Sequence, residues 1–489
     1  MEHMQIVGPS GGGKTSLGLQ TNVLQLIDRN DGPVVIFDNK GDPAFFQSVR
    51  EKCERTGRTF KWFTNKPYRS TYVFNPWDPE ILSRLTLPDI LGFFTNSLNL
   101  HHGEDYGRAW FTMITRILFR RGILETVPEA EKRDIIAGPG PGRLFPKYGP
   151  IQSFRDLYPI LRDLAADSNE FKGAQHLTFL IESLTDFQQL NLAPSRDPNH
   201  PALTHAIHMP EVIREKQVIY FYLVGALDLS SVAELSKLAL YCLLVAAIDY
   251  HDQHGVQPRI YSVWDEAQVM VAKNIEIVLN QARSHGLGCI LAHQSLSQLN
   301  PPGGVDLREL VMSCTAIKQV FGARDPWLMQ YISNTSGSTK YYRKSYSVAA
   351  SDLLGGAVGP EFTCPDRDGQ RTINVQEFTG PRLTYQDVLN LNRQQNVSLL
   401  WVDHAKGLSQ FRGWFPMHTD WPIDQATHRR YLEKGWPETT EETIEMKSIW
   451  PTETAETITP TTHPDAAATQ EEVDASQKLQ RIKRTLKQK

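Results

Sequence analysis

Gly8-Pro9-Ser10-Gly11-Gly12-Gly13-Lys14-Thr15 fits the pattern G-x-x-x-x-G-K-[ST], and it stands between an apolar run, Met4 to Val7, and a stretch of helical periodicity, Lys14 to Asp28. A strand, a glycine loop and a helix in that order are the context that makes the motif a phosphate-binding P-loop. The glycines let backbone N–H groups curl around phosphate oxygens without side-chain clash, and the helix that follows presents the positive end of its dipole. In such a loop the lysine, here Lys14, reaches the β- and γ-phosphates, and the Thr15 hydroxyl ligates Mg²⁺. Gly8, Pro9, Ser10, Gly11, Gly12, Gly13, Lys14, Thr15 and Ser16 are therefore the candidate nucleotide-binding stretch, with ATP and Mg²⁺ as the expected cofactors.

A phosphate loop on a strand demands a sheet around it. Val34 to Phe37 is a continuous apolar run ending in Asp38, as expected of a buried parallel strand. Similar runs recur at Val218 to Val224, Ile260 to Trp264, Gly288 to Ala292 and Thr315 to Phe321, with helical stretches at 231–250 and 273–285 between them. The alternation implies an α/β fold with a mainly parallel sheet covered on both faces. From about Pro79 to Pro210 the alternation stops and helical periodicity takes over, in 107–121, 154–167 and 174–189. This predicts an α/β ATPase domain over 1–78 and 211–435, interrupted by an all-α domain over 79–210.

After Trp436 the composition turns to Thr, Glu, Pro and Ala, too polar to bury a core, so 436–489 is expected to be a disordered tail. Its end, Lys478 to Lys489, carries six basic side chains and no acidic one. The whole chain of 489 residues has 22% charged residues and a formal net charge of −4, so any nucleic-acid surface must be local, a pore or a stripe. The five cysteines are scattered without a CxxC pair, which points to a reducing compartment, and a cytoplasmic setting is expected. The most apolar stretch, Leu238 to Ile248, falls well short of the roughly 20 residues of a membrane span and reads as a buried helix.

The catalytic candidates follow from where the strands end. Ile260 to Trp264 leads into Asp265-Glu266, the matching Walker B pair. Asp265 is expected to hold the Mg²⁺ shell, and Glu266 to orient and deprotonate the attacking water. A bare binding site needs only the aspartate; the added glutamate favours hydrolysis. Asp38, in Asp38-Asn39-Lys40-Gly41-Asp42, ends the second strand and so belongs on the carboxyl edge beside the phosphates. Gln294 ends a later strand in the same crevice, placed to hydrogen-bond the γ-phosphate or the water. Arg283 closes the helix before that strand, a position from which it could reach a neighbouring subunit's γ-phosphate in a ring.

These elements, in this order, resemble the type IV secretion coupling proteins (TraG/TraD-like) of the HerA/FtsK group of RecA-like DNA motors. Gly8 to Thr15 is similar to that family's GPTGSGKT loop, and Asp38 to Asp42 to its DPKGD/E motif, with Asn39 replacing proline. Asn75-Pro76-Trp77-Asp78 resembles the NPLD segment that precedes its all-α domain. Arg283 to Gly288, with Ala292 to Leu299, resembles its R-x-x-G…A-x-Q-S-x-x-Q-L stretch. The resemblance implies a RecA-like P-loop fold, a hexameric ring, DNA as partner, and delivery of a DNA–relaxase complex to a secretion channel. Most of the weight of the roles given to Gln294 and Arg283 comes from it. Family members usually begin with transmembrane helices, whereas here the P-loop starts at residue 8, so a soluble variant or an anchor upstream of this start are both expected possibilities, and association with the inner membrane would run through partners.

A ring-forming DNA translocase is thus the leading expectation. Lys340-Tyr341-Tyr342-Arg343-Lys344 is the candidate DNA-facing stretch, since basic side chains interleaved with aromatics suit a phosphate backbone and base stacking. Two alternatives stay open: the same motor working in repair, plasmid maintenance or phage defence with a nuclease partner, and a nucleotide-gated docking scaffold that moves no DNA.

Overall fold

The computed structural model describes residues 2–82, 84–98, 100, 108–127, 129, 132, 151–167, 174–194, 198–225, 229–270, 275–300, 306–347, 372–391, 396–402 and 413–446. The thirteen strands among them are β1 His3–Val7, β2 Val34–Asp38, β3 Phe60–Thr64, β4 Ser70–Thr71, β5 Val218–Tyr222, β6 Ile260–Asp265, β7 Leu287–His293, β8 Thr315–Val320, β9 Ser338–Ser347, β10 Thr372–Pro381, β11 Val397–Val402, β12 Trp414–His418 and β13 Ile444–Glu445.

Nine of them form one sheet in the order β12-β11-β8-β1-β7-β6-β2-β5-β3. From β8 to β3 every neighbouring pair is parallel. β11 and β12 close that flank antiparallel. The apolar runs read from the sequence are its central strands, and all of β2, β5, β6 and β7 are buried, as a parallel sheet covered by helices requires. Because β1 lies between β7 and β8, and β6 and β2 follow on the β7 side, the carboxyl ends of β1, β2, β6 and β7 line one continuous edge.

Local chemistry sets the helix boundaries. The helix Pro43–Thr56 starts where Asp42 accepts from Ala44 N and Phe45 N, with proline at its first position, and it ends at Gly57 in a left-handed turn. The helix Leu87–Ser97 opens on a Thr86/Asp89 capping box. The helix Leu229–His254 is long and apolar enough to cross a membrane by length and composition, but 78% of its apolar stretch is buried inside the protein. It is a core helix: Val232, Leu238, Ala239, Leu243 and Ala247 are fully enclosed.

The helical region between β4 and β5 contains Leu87–Ser97, Arg108–Glu125, Phe154–Asp167 and Gln175–Thr185. Its aromatic centre is Trp77, stacked on Phe94 at 4.4 Å with Phe154 edge-on at 5.8 Å. Entry and exit are tied together: Ile207 N donates to Val73 O at 2.7 Å, and His208 Nδ1 lies 2.9 Å from Asp78 Oδ2.

One expectation is corrected. Residues 436–446 do not belong to a disordered tail. Trp436 stacks on Phe46 at 4.5 Å and donates from Nε1 to Ser70 O, and β13 pairs antiparallel with β4. A few apolar anchors, Trp436, Ile444 and Met446, order a stretch whose average composition is polar. The remainder of the expected tail, including Lys478 to Lys489, lies outside the described residues.

Candidate nucleotide site

The P-loop leaves β1 at the carboxyl edge. Gly11 and Gly13 adopt φ of 74° and 91°, where a side chain is strained, and a Cβ on Gly13 would sit 2.9 Å from Leu17. Gly12 N donates to Pro9 O at 2.9 Å, which curls the loop, and Gly8 N reaches His293 O on β7. The helix begins in a wide turn over Lys14–Leu19, with Leu17 N and Gly18 N both donating to Gly13 O, and continues as Gln20–Arg29. Ser16 lies in this first turn, partly buried.

Side chains from three segments converge here. Lys14 Nζ donates to Glu266 Oε1 at 2.8 Å, and Thr15 Oγ1 donates to Asp265 Oδ2 at 3.0 Å. Gln294 Nε2 lies 3.2 Å from Glu266 Oε2, and Gln268 donates to the same oxygen. Gln298 Oε1 accepts from Gln294 N at 3.1 Å, fixing the backbone that carries Gln294. The structure therefore brings Lys14, Thr15, Asp265, Glu266 and Gln294 together.

Burial opposes the charge of Glu266, but the bonds from Lys14, Gln268 and Gln294 outweigh it and hold the carboxyl below its usual range. Asp265 is shifted the other way, raised by burial and by the neighbouring Glu266 charge against the pull of Lys14. Glu266 has φ of 51°, a left-handed conformation that a non-glycine side chain adopts at a cost on the order of 1–2 kcal/mol. The Asp265–Glu266 peptide is gripped on both sides: Asp265 Oδ1 accepts from Glu266 N at 3.0 Å, and Asn39 Nδ2 donates to Asp265 O at 3.1 Å.

Asp38, a candidate contact to nucleotide by its place beside the phosphates, ends β2 at this same edge. It is fully buried, and its carboxylate accepts from Lys40 N, Gly41 N, Asp42 N and the Tyr220 hydroxyl. Burial, with Asp265 alongside, pushes its pKa up to about 7. Its direct work is to fold the turn that carries Asn39.

Arg283 stands apart. It lies in a tight turn, Ala282–His285, just before β7 and therefore at the amino edge of the sheet, where it is half-exposed and paired with Glu2 at 3.1 Å. The structure does not bring it to the P-loop of its own chain. Lys340 to Lys344 lie on a two-stranded ribbon, β9 with β10, on which Tyr341 stacks against Phe378 and Tyr342 is exposed.

Sequence reasoning missed Gln268, His293, Asn39 and Ser236 as parts of the site. His293 is wholly buried, 2.7 Å from Gln5 and bonded through Nδ1 to Ser295 O, and burial lowers its pKa to about 4, so it is a neutral brace between β1 and β7. The one available signal was a polar residue at the end of an apolar strand.

Residues 259–393 match the family model described as the TraM recognition site of TraD and TraG. No curated protein matches the chain by sequence. Among solved structures the fold is similar to the bacterial conjugative coupling protein TrwBdeltaN70 in an unbound monoclinic form, at TM-score 0.53 and 16% identity over 86% of this chain and 85% of that one. The plasmid coupling protein TrwB in complex with ADP and Mg²⁺ matches at TM-score 0.53 and 14% identity, over 86% and 85%. TrwB in complex with the ATP analogue ADPNP matches at 0.53 and 15%, over 86% of both chains.

Proposed function

Taking the chain as TraG/TraD-like in motif and fold, we propose that it is an ATP-hydrolysing, ring-forming DNA translocase. The observation that carries the catalytic part is the meeting of Lys14, Thr15, Asp265, Glu266 and Gln294 at one sheet edge. Backbone N–H groups of Gly11 to Thr15, with Lys14, hold the β- and γ-phosphates. Thr15 Oγ1 and Asp265 Oδ2, 3.0 Å apart, are hard oxygen donors that suit Mg²⁺. No group of three His, Cys, Asp or Glu side chains able to hold a metal ion occurs among the described residues, and Mg²⁺ would complete its coordination with phosphate and water oxygens. When bound, Mg²⁺ neutralises charge that builds up on the phosphate oxygens.

Glu266 takes the proton of the water that attacks the γ-phosphorus, and Gln294 orients that water from the neighbouring strand. Glu266 releases Lys14 to the phosphates as nucleotide enters, since both compete for the same ammonium. Arg283, at the opposite edge, serves the nucleotide held by the next subunit, in a head-to-tail ring whose interface joins two different patches. The β9–β10 ribbon is the proposed DNA contact. The match of residues 259–393 supports docking of a protein of the DNA-processing complex on the exposed surface of that span outside the ribbon, with a position on the cytoplasmic side of a secretion channel as part of the same proposal.

ATPase rates with and without single- and double-stranded DNA, with oligomeric mass measured in parallel, test this reading. The expected result is turnover stimulated by DNA and a ring that forms with nucleotide. Turnover indifferent to both DNA forms would remove the translocase and leave a nucleotide-gated scaffold.

A further inference from the structure

We propose that Asn39, braced by Ser236, is the positioning residue that holds Glu266 in its productive backbone conformation. This inference rests on the hydrolytic reading of Glu266. Where the resembled motif carries proline, this chain carries an asparagine that is only 4% exposed. Its two polar ends have separate partners: Nδ2 donates to Asp265 O at 3.1 Å, and Oδ1 accepts from Ser236 Oγ at 2.7 Å. Proline could make neither bond, having no side-chain polar atom.

The carbonyl that Asn39 grips belongs to the peptide joining Asp265 to Glu266. Rotation of that peptide changes ψ of Asp265 and φ of Glu266 together, and φ of Glu266 is the strained one, at 51°. A residue in this region stays there only when its surroundings over-determine it. Two bonds act on that peptide itself, Asp265 Oδ1 on the N–H side and Asn39 Nδ2 on the carbonyl side, while the carbonyl of Glu266 beyond it accepts from Val269 N at 3.0 Å. The first is made by a carboxylate whose other oxygen is engaged by Thr15, and which is needed for the metal. Asn39 is the holder with no other task at the site.

Asn39 is itself fixed twice. Its backbone stands in the turn folded by Asp38, with Lys40 N, Gly41 N and Asp42 N all bonded to that carboxylate. Its amide plane is oriented by Ser236, fully buried on the helix Leu229–His254. That helix packs against Leu87–Ser97 of the helical region. The orientation of Glu266 is thereby tied to a helix shared with the inserted region.

The test compares Asn39→Ala, Asn39→Asp and Ser236→Ala, measuring kcat, KM, nucleotide affinity and thermal midpoint in the full chain. Asn39→Ala is the discriminating variant, because it removes the donor toward Asp265 O without adding charge, whereas Asn39→Asp sets a further carboxyl group beside the buried Asp38 and Asp265. We expect both Asn39 variants to lose roughly 10- to 100-fold in kcat, with nucleotide affinity within about threefold of wild type, the range seen when supporting residues of a metal site are removed. Ser236→Ala should fall in the same direction but less, and Asn39→Ala combined with Ser236→Ala should be no slower than Asn39→Ala alone. Unchanged kcat in Asn39→Ala overturns the inference, and so does a loss of affinity that parallels the loss of kcat. Glu266→Gln run beside them separates the two levels: full turnover in that variant defeats the hydrolytic reading itself, while an inactive Glu266→Gln with normal Asn39 variants defeats the positioning role alone.

Discussion

Lys14 and Glu266, 252 residues apart in sequence, are joined by a buried ion pair of 2.8 Å between the lysine of the glycine-rich loop and the carboxylate that follows β6. Each is the other's nearest charge compensation. Removing one partner of such a pair changes two functions, because the survivor is left with an uncompensated charge.

The two substitutions should therefore separate. Lys14→Ala deletes the cation on the phosphates and frees the Glu266 carboxylate, so nucleotide affinity should be lost. Glu266→Gln keeps a hydrogen-bonding group but cannot accept a proton, so turnover should fall on the order of 10²–10⁴-fold. Its affinity for ATP should equal or exceed wild type, since Lys14 no longer has a competing carboxylate. Fluorescent-nucleotide titration beside a phosphate-release assay reads both; weaker binding in Glu266→Gln would refute the competition.

Arg283→Ala should leave ATP binding nearly intact, because the residue stands at the sheet edge opposite the P-loop of its own chain. Folding should change by no more than about 0.5 kcal/mol, as the side chain is half-exposed. Arginine fingers supplied in trans contribute about 10³–10⁵ in turnover, so a large kinetic loss is expected. Mixing Arg283→Ala with Lys14→Ala subunits should restore part of the activity, since a Lys14→Ala subunit offers its arginine to an intact neighbouring site. No recovery despite demonstrated subunit exchange would count against the trans role.

His208 gives a pH signature. Burial lowers its pKa, but the bond to Asp78 and the charges of Asp78 and Glu211 outweigh this and raise it above 6.5. A group whose folded pKa is raised contributes stability below its unfolded value, and loses that contribution as pH rises through the folded value. The wild type should thus lose thermal stability more steeply than His208→Gln as pH rises above about 6.5. A third of the side chain is exposed, so the difference should be a few degrees at most near pH 6 and should close at high pH. Parallel melting curves across that range would remove the pair from the junction's energetics.

Trp436→Ala should destabilise the protein by about 2–3 kcal/mol, less than a fully enclosed tryptophan, because the ring stacks on Phe46 but remains partly exposed. Loss of the Nε1 bond to Ser70 should also loosen β13 from β4. Hydrogen exchange at residues 68–72 and 440–446 should quicken together. Protection of both segments in the variant would show that β13 is held without Trp436.

The parallel strands were legible because a strand buried on both faces must be apolar throughout, and Val34 to Phe37 and Ile260 to Trp264 are. The catalytic carboxylates were legible because they end such runs. β3, Phe60–Thr64, was not read, since Lys61 and Thr64 interrupt its apolar pattern; Lys61 is buried there only because Ala206 O and Glu211 receive its ammonium. β11 has an apolar run, Leu399 to Val402, but stands outside the alternation of strands and helices that marked the others, and Pro416 within β12 argues against a strand; both turn antiparallel at the sheet's flank. The brace through Asn39 and Ser236 was illegible for a different reason: its two halves are 197 residues apart, and nothing local marks them as partners.

The placement of β1 also sets an order of assembly. Its sheet partners are β7 and β8, and His3 accepts a bond from Cys289 N across 286 positions. On a ribosome adding about 5–20 residues per second, the P-loop strand emerges first and waits roughly 15–60 s for its neighbours. In that interval the helical region, rich in local contacts, can complete its own folding. A truncated translation product ending before residue 287 would carry every P-loop residue yet lack the strand that shapes the loop, and so should retain no nucleotide.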